Sequence, residues 1–285
     1  MRGDEEFVVQ GLTNGMTSHG GFEGDAVVSV ASLSKKFPNG TLAVDNVSFD
    51  VPAGQVLGLL GLSGSGKSTL MRLINGLHQP TSGHVSVLGA VIDECSPSEL
   101  RDARRNIGFV FQQFGLVGRM TCIENVLVGS LGRLRGPRLG VRMYPKALRV
   151  KALERLERVG LLAQAFQRAD TLSGGQMQRV AIARSLMQEP KVLLADEPVA
   201  SLDPESSVQV LDLISQIARE DGMTVICSLH QVELAVGRTD RLIGLRDGRV
   251  VLDKMTAGTD QESVMSLYRR SGTAEAEEAR VAQLA

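Results

Sequence analysis

Two short stretches of this chain are suited to holding phosphate. Residues 61–69 read GLSGSGKST, in which Gly61, Gly66, Lys67 and Ser68 satisfy G-x-x-x-x-G-K-[ST]. In such a loop backbone N–H groups wrap phosphates, the lysine pairs the terminal phosphates and the hydroxyl ligates magnesium. Ser63, Gly64 and Ser65 then belong to the wrap, Ser68 to the metal and Thr69 to a phosphate contact. Residues 172–176 read LSGGQ, where Gly174 and Gly175 allow close approach of an anion and Ser173 can cap the helix running on from Gln176. Asp196 and Glu197 are adjacent carboxylates at the end of the apolar run Val192–Ala195, and His230 follows the run Thr224–Leu229. Asp203 precedes Pro204, the pairing of an N-cap with a proline at the first helical position.

These residues need a scaffold that brings them together. Val56–Leu60, Val192–Ala195 and Thr224–Leu229 each lead directly into one polar site, and apolar runs alternate with helix-period segments along the chain. The expected fold class is α/β, a mostly parallel sheet covered by helices. In open sheets of this kind ligands bind beyond the carboxyl ends of strands, so the three sites should converge. A helix over 67–75 would add its positive N-terminus to the phosphate loop. An inserted helical region is expected at about 114–188. Its first helix has Thr121 and Glu124 at capping-box spacing, and its second follows Pro145 with Ala152, Leu156 and Val159 in phase. Both read as surface helices with one buried stripe. Between them, residues 129–144 carry Arg133, Arg135, Arg138 and Arg142, which is either a solvated basic loop or a contact surface for a partner subunit or lipid headgroups.

Composition narrows the function classes. The 285 residues carry a formal charge of −1, so nothing draws the chain as a whole to nucleic acid or anionic lipid. Cys95, Cys122 and Cys227 are odd in number and widely spaced, against a disulfide framework or zinc and in favour of a reducing cytoplasm. No run reaches the roughly 18–20 apolar residues that span a bilayer. Residues 1–25 read as a flexible leader and 256–285 as a frayed helical tail, flanking a core domain at 26–255.

The order of loop, LSGGQ and acid pair resembles the ATP-binding subunit of ABC transporters. RLINGL at 72–77, VFQQF at 110–114, ENVLVG at 124–129, ADEPVASLDP at 195–204, SLHQV at 228–232 and DRLIGLRDGR at 240–249 look like bacterial phosphonate importers. Gly115 and Met177 depart from that wording, where Asn and Gln are expected. The resemblance implies a P-loop NTPase domain with an N-terminal antiparallel β portion, an ATP and Mg²⁺ requirement, and hydrolysis coupled to transport. It further implies that Asp196 holds the magnesium shell and Glu197 acts as general base, that His230 contacts the γ-phosphate, and that Gln112 ligates the magnesium shell and hinges the helical region. Phe37 would stack on adenine, although as a single residue it reads equally as a strand-edge core aromatic.

By the same resemblance LSGGQ of one copy closes over ATP held by another, with Asp203 at the dimer interface. The partners implied are a second ATP-binding subunit, integral membrane permease subunits, and a solute-binding protein reached through the permease, at the cytoplasmic face of the membrane. Alternatives are an amino-acid importer, a lipoprotein-release ATPase, or an ABC-type accessory of carbon–phosphorus bond cleavage. A ribosome- or DNA-acting ABC protein usually carries two cassettes or coiled-coil insertions, which this chain lacks.

Overall fold

The computed structural model describes residues 26–257 apart from 135 and 137–139. The expected leader, nearly all of the expected tail, and Arg135 and Arg138 lie outside the described residues. Strands β1 (Ala26–Lys36) and β2 (Leu42–Pro52) form a long hairpin, and β3 (Val56–Leu60) leaves it to begin a second sheet. With β4 (Ser82–Val87) and β5 (Ala90–Val91) the hairpin makes an antiparallel sheet of order β2-β1-β4-β5. The second sheet adds β6 (Ile107–Val110), β7 (Val192–Ala195), β8 (Thr224–Leu229), β9 (Arg241–Arg246) and β10 (Arg249–Met255), in the order β10-β9-β3-β8-β7-β6. Its pairings are parallel except for β9 with β10.

Strands β3, β6, β7 and β8 of the second sheet are buried on both faces, which is why they read as apolar runs. Successive side chains go to opposite faces. Leu57, Leu59, Val192, Leu194 and Ile226 pack toward the antiparallel sheet and α1 (Lys67–Ile74). Val56, Leu60, Leu193, Ala195, Val225, Cys227 and Leu229 pack toward the helices on the other side. The latter include α3 (Cys122–Val128), α4 (Lys146–Arg158), α5 (Gly174–Leu186) and α6 (Pro204–Asp221). A short α2 (Pro97–Arg104), capped by Ser96 and Glu99, leads into β6.

The capping signals act locally. Thr121 and Glu124 form a capping box at the start of α3, and Asp203 caps α6 by accepting from the Ser206 N–H. Helix α6 stops at Gly222, whose φ of 61° ends it in the left-handed region. One expectation fails. Helix α3 is not a surface helix with a single stripe, because Cys122, Ile123, Asn125, Val126 and Leu127 are all buried. Loops cover its polar side: the Asn125 side-chain carbonyl accepts from the Val117 N–H at 2.8 Å, and its amide donates to the Val117 carbonyl at 3.2 Å. Helix α4 does show the expected stripe, burying Ala152 and Leu156.

Candidate functional site

The strand order decides how the chemistry-bearing residues meet. Strand β8 lies between β3 and β7, so the phosphate loop after β3 and the acid pair after β7 are two strand spacings apart, roughly 10 Å. Residues at the end of β8 bridge that gap. Ser228 is fully buried; its hydroxyl donates to Asp196 Oδ1 at 3.1 Å and accepts the Glu197 N–H at 2.7 Å. From the loop side, Ser68 Oγ donates to the same Asp196 Oδ1 at 2.9 Å. His230 spans the whole cleft, with Nδ1 3.1 Å from the Gly61 carbonyl and Nε2 2.8 Å from Glu197 Oε1.

Lys67 completes the cluster. It is buried, donates to the carbonyls of Gly61 at 2.7 Å and Leu62 at 3.1 Å, and stands 3.5 Å from Glu197 Oε1. Burial pulls its ammonium below the usual lysine value, while Glu197 and Asp196 oppose that shift. Glu197 has a φ of +47°, sparsely allowed for a residue with a Cβ and costing about 1–3 kcal/mol. The Ser228 hydroxyl on its N–H helps hold that conformation, which aims adjacent acids at different partners. Cys227, directly before Ser228, has its thiol pushed up to about 12 by complete burial and by Asp196, so it is inert.

The loop itself suits an anion. Gly66 has a φ of +103°, and a Cβ there would stand 2.2 Å from the Ala43 carbonyl, so only glycine lets the hairpin close over the loop. As the N-cap of α1 it offers no side-chain acceptor, leaving the first-turn N–H groups free for phosphate oxygens. Ser65 Oγ is buried and has no hydrogen-bond partner among the described residues. Ser68 and Asp196 present two hard oxygen donors side by side, the donor type magnesium takes. Ser63 and Gly64 are exposed at the loop tip and Thr69 is half-buried in α1.

The other expected residues lie in separate places. Ser173 caps α5 reciprocally with Gln176, Gly174 packs 3.1 Å, by its missing Cβ, from Leu202, and Gly175 is buried against Ser206. No hydrogen bond joins residues 173–176 to residues 61–69 among the described residues; α5 packs instead on α3, α4, β6 and α6. Gln112 is exposed beyond the end of β6 and makes no hydrogen bond to Ser68 or Asp196. The strand ends at Val110, whose carbonyl accepts the Asp196 N–H at 2.9 Å. Gln112 and the acid pair therefore share one sheet edge. Phe37 is half-buried where the β1–β2 hairpin turns, its ring 5.7 Å from that of His78.

Two roles escaped the sequence reading. Ser228 opens the SLHQV segment, but its link to Glu197 depends on the β7–β8 register and could not be read there. Arg184, on α5, donates to the carbonyls of Phe114, at 2.8 Å, and of Gly115. Burial lowers its guanidinium from the ordinary arginine value, and no carboxylate pairs with it among the described residues. It ties the segment after Gln112 to the helix that LSGGQ starts. Arg133 is no free basic residue either: it donates to the Gln188 carbonyl at 2.8 Å and lies 3.8 Å from Glu189. No described helix is long and apolar enough to cross a membrane.

The chain is similar to known proteins. The family model described as ABC transporter matches residues 44–200. The chain is similar to "Phosphonates import ATP-binding protein PhnC" of Frankia casuarinae, with 58% identity over 87% of this chain and 97% of that protein. It is also similar to "Phosphate-import ATP-binding protein PhnC" of Mycolicibacterium smegmatis, with 56% identity over 86% of this chain and 93% of that protein. Among solved structures it resembles the dimeric post-hydrolysis state of the ATP-binding cassette MJ0796 bound to ADP and Pi, at 35% identity and a TM-score of 0.71, covering 81% of this chain and 100% of that one.

Proposed function

This chain belongs to the ABC transporter family as an ATP-binding subunit, and from that premise we propose that it energises uptake of phosphonate or a related phosphorus oxyanion. The observation that carries the ATPase reading is the meeting of Lys67 and His230 on one oxygen of Glu197, beside the linked Ser68–Asp196–Ser228 set. Lys67 and the α1 N-terminus hold the phosphates. Ser68 and Asp196, with Gln112 as a further ligand, would hold magnesium, which when bound would supply positive charge against the phosphoryl oxygens. Glu197 takes the proton from the attacking water, a role contributing about 10² to 10⁴ in rate. His230 keeps that carboxylate aimed through its Nε2 and, through Nδ1, senses the loop carbonyl of Gly61.

Residues 173–176 supply a second anion reader, and Asp203 lies on the same side, so two copies complete two ATP sites. Exposed Leu62 and Ser173 are consistent with surfaces that face another copy. The permease contact lies along the groove between α2 and the segment after α3, lined by Arg101, Arg104, Arg105, Val128 and Arg133. The subunit then works peripherally at the cytoplasmic face of the membrane. The substrate reading rests on the names of the relatives, one for phosphonates and one for phosphate. Vesicles holding this subunit with its permease should hydrolyse ATP faster when receptor loaded with methylphosphonate or phosphate is added. Stimulation by neither, with hydrolysis intact, would remove the oxyanion; an amino acid that did stimulate would replace it.

A further inference from the structure

A base-stacking ring is useful only if its plane is fixed before the nucleotide arrives, and the phenyl terminus of a hairpin-turn residue has broad torsional freedom. Phe37 stands at such a turn: its N–H donates to the Thr41 carbonyl at 2.9 Å, and its carbonyl accepts the Gly40 N–H at 2.9 Å. The end of β1 is stitched to the segment following the phosphate-loop helix. Thr81 donates its N–H to the Ser34 carbonyl at 2.8 Å, and its hydroxyl accepts the Lys36 N–H at 2.9 Å. The Lys35 ammonium donates to the Gln79 carbonyl at 2.6 Å. That stitching delivers two restraints to the ring. His78 meets Phe37 with centroids 5.7 Å apart and planes at 89°, and Lys35 Nζ stands over the same ring at 5.5 Å. A perpendicular ring and a cation together define one orientation of the phenyl plane.

Both ends of this platform join the phosphate loop. Gly66 packs on the Ala43 carbonyl, one strand of the hairpin that turns at Phe37, and His78 follows α1, which spans about 12 Å from the loop. A nucleoside triphosphate anchored at Lys67 would thus meet Phe37 with its base rather than its phosphates. We propose that His78, with Lys35, is a positioning residue for the purine base of the nucleotide, locking the Phe37 ring so that the chain prefers a base-bearing triphosphate over a bare one. The inference rests on the reading of Phe37 as the adenine platform. His78 lies between Leu77 and Gln79 in a segment without a motif, so the sequence gives no signal for it.

The test is calorimetric binding of a non-hydrolysable ATP analogue and of inorganic tripolyphosphate, each with magnesium, to the full chain. His78→Ala should weaken the analogue about three- to tenfold, the size expected of a lost aromatic pair, and leave tripolyphosphate unchanged. His78→Phe should restore the analogue's affinity by returning an aromatic ring. In a Phe37→Ala background, His78→Ala should add nothing. If His78→Ala weakens both ligands equally, or neither while Phe37→Ala weakens the analogue, His78 is a structural residue and the proposal falls. If Phe37→Ala itself leaves the analogue's affinity untouched, the platform reading fails, whatever His78 does.

Discussion

Lys67 Nζ stands 3.5 Å from Glu197 Oε1, so the group that receives phosphate charge and the group that receives a water proton face the same point. They act on different atoms and their removal separates them. Lys67→Ala should weaken ATP binding by about 10- to 100-fold, the size of a lost charged hydrogen bond. Glu197→Gln should bind ATP normally and lower kcat by about 10² to 10⁴. Equilibrium binding and single-turnover hydrolysis on both variants check this, and normal turnover by Glu197→Gln would remove its role as base.

Ser228→Ala should behave like a mild Glu197 variant. Its hydroxyl is the acceptor for the Glu197 N–H, and burying that N–H without a partner costs about 1–3 kcal/mol, enough to release a backbone held at φ +47°. The expected result is a kcat about tenfold lower with ATP affinity, which Lys67 controls, changed less than about twofold. A change in affinity alone would show that Ser228 serves Asp196 and the metal instead.

Arg184→Met keeps the unbranched apolar stem of the side chain and deletes both donors to the Phe114 and Gly115 carbonyls. Amide hydrogen exchange should quicken across residues 112–117, and global stability should fall by about 1–3 kcal/mol. Unchanged exchange in that segment would mean that the loop is held by its own turns rather than by α5.

Arg133 and Glu189 make a stability prediction that is separate from any role of Arg133 at the permease contact. The Lys151 ammonium hydrogen-bonded to Glu189 holds that carboxyl below the usual glutamate value, with Arg133 and Arg155 adding to it. A depressed carboxylate stabilises fully above its unfolded value of 4.5, and that contribution is lost as pH falls through the lower folded value. Parent and Glu189→Gln should therefore differ at pH 7, by no more than about 4 °C in Tm for an exposed pair, and converge once the pH has fallen through the lowered folded value. A difference that persists into acid would deny the ion pair its role.

How much was legible depended on how local the cause was. Val56–Leu60, Val192–Ala195 and Thr224–Leu229 are strands with the bounds read from their apolar runs, because a sheet covered on both faces leaves no polar alternation to blur the ends. The caps at Ser173, Thr121 and Asp203 were legible because each is a bond to a residue three positions on. Residue types and spacing likewise named the phosphate loop and the acid pair. Strand order was a different matter: nothing in the chain states that β8 lies between β3 and β7, yet this places Ser228 and His230 between Lys67 and Glu197. The burial of α3, the anchoring of Arg133, the guanidinium of Arg184 on two loop carbonyls and the meeting of His78 with Phe37 all join residues remote in sequence. Those contacts follow from which surfaces are left to cover once the sheets have formed, so tertiary structure alone decided them.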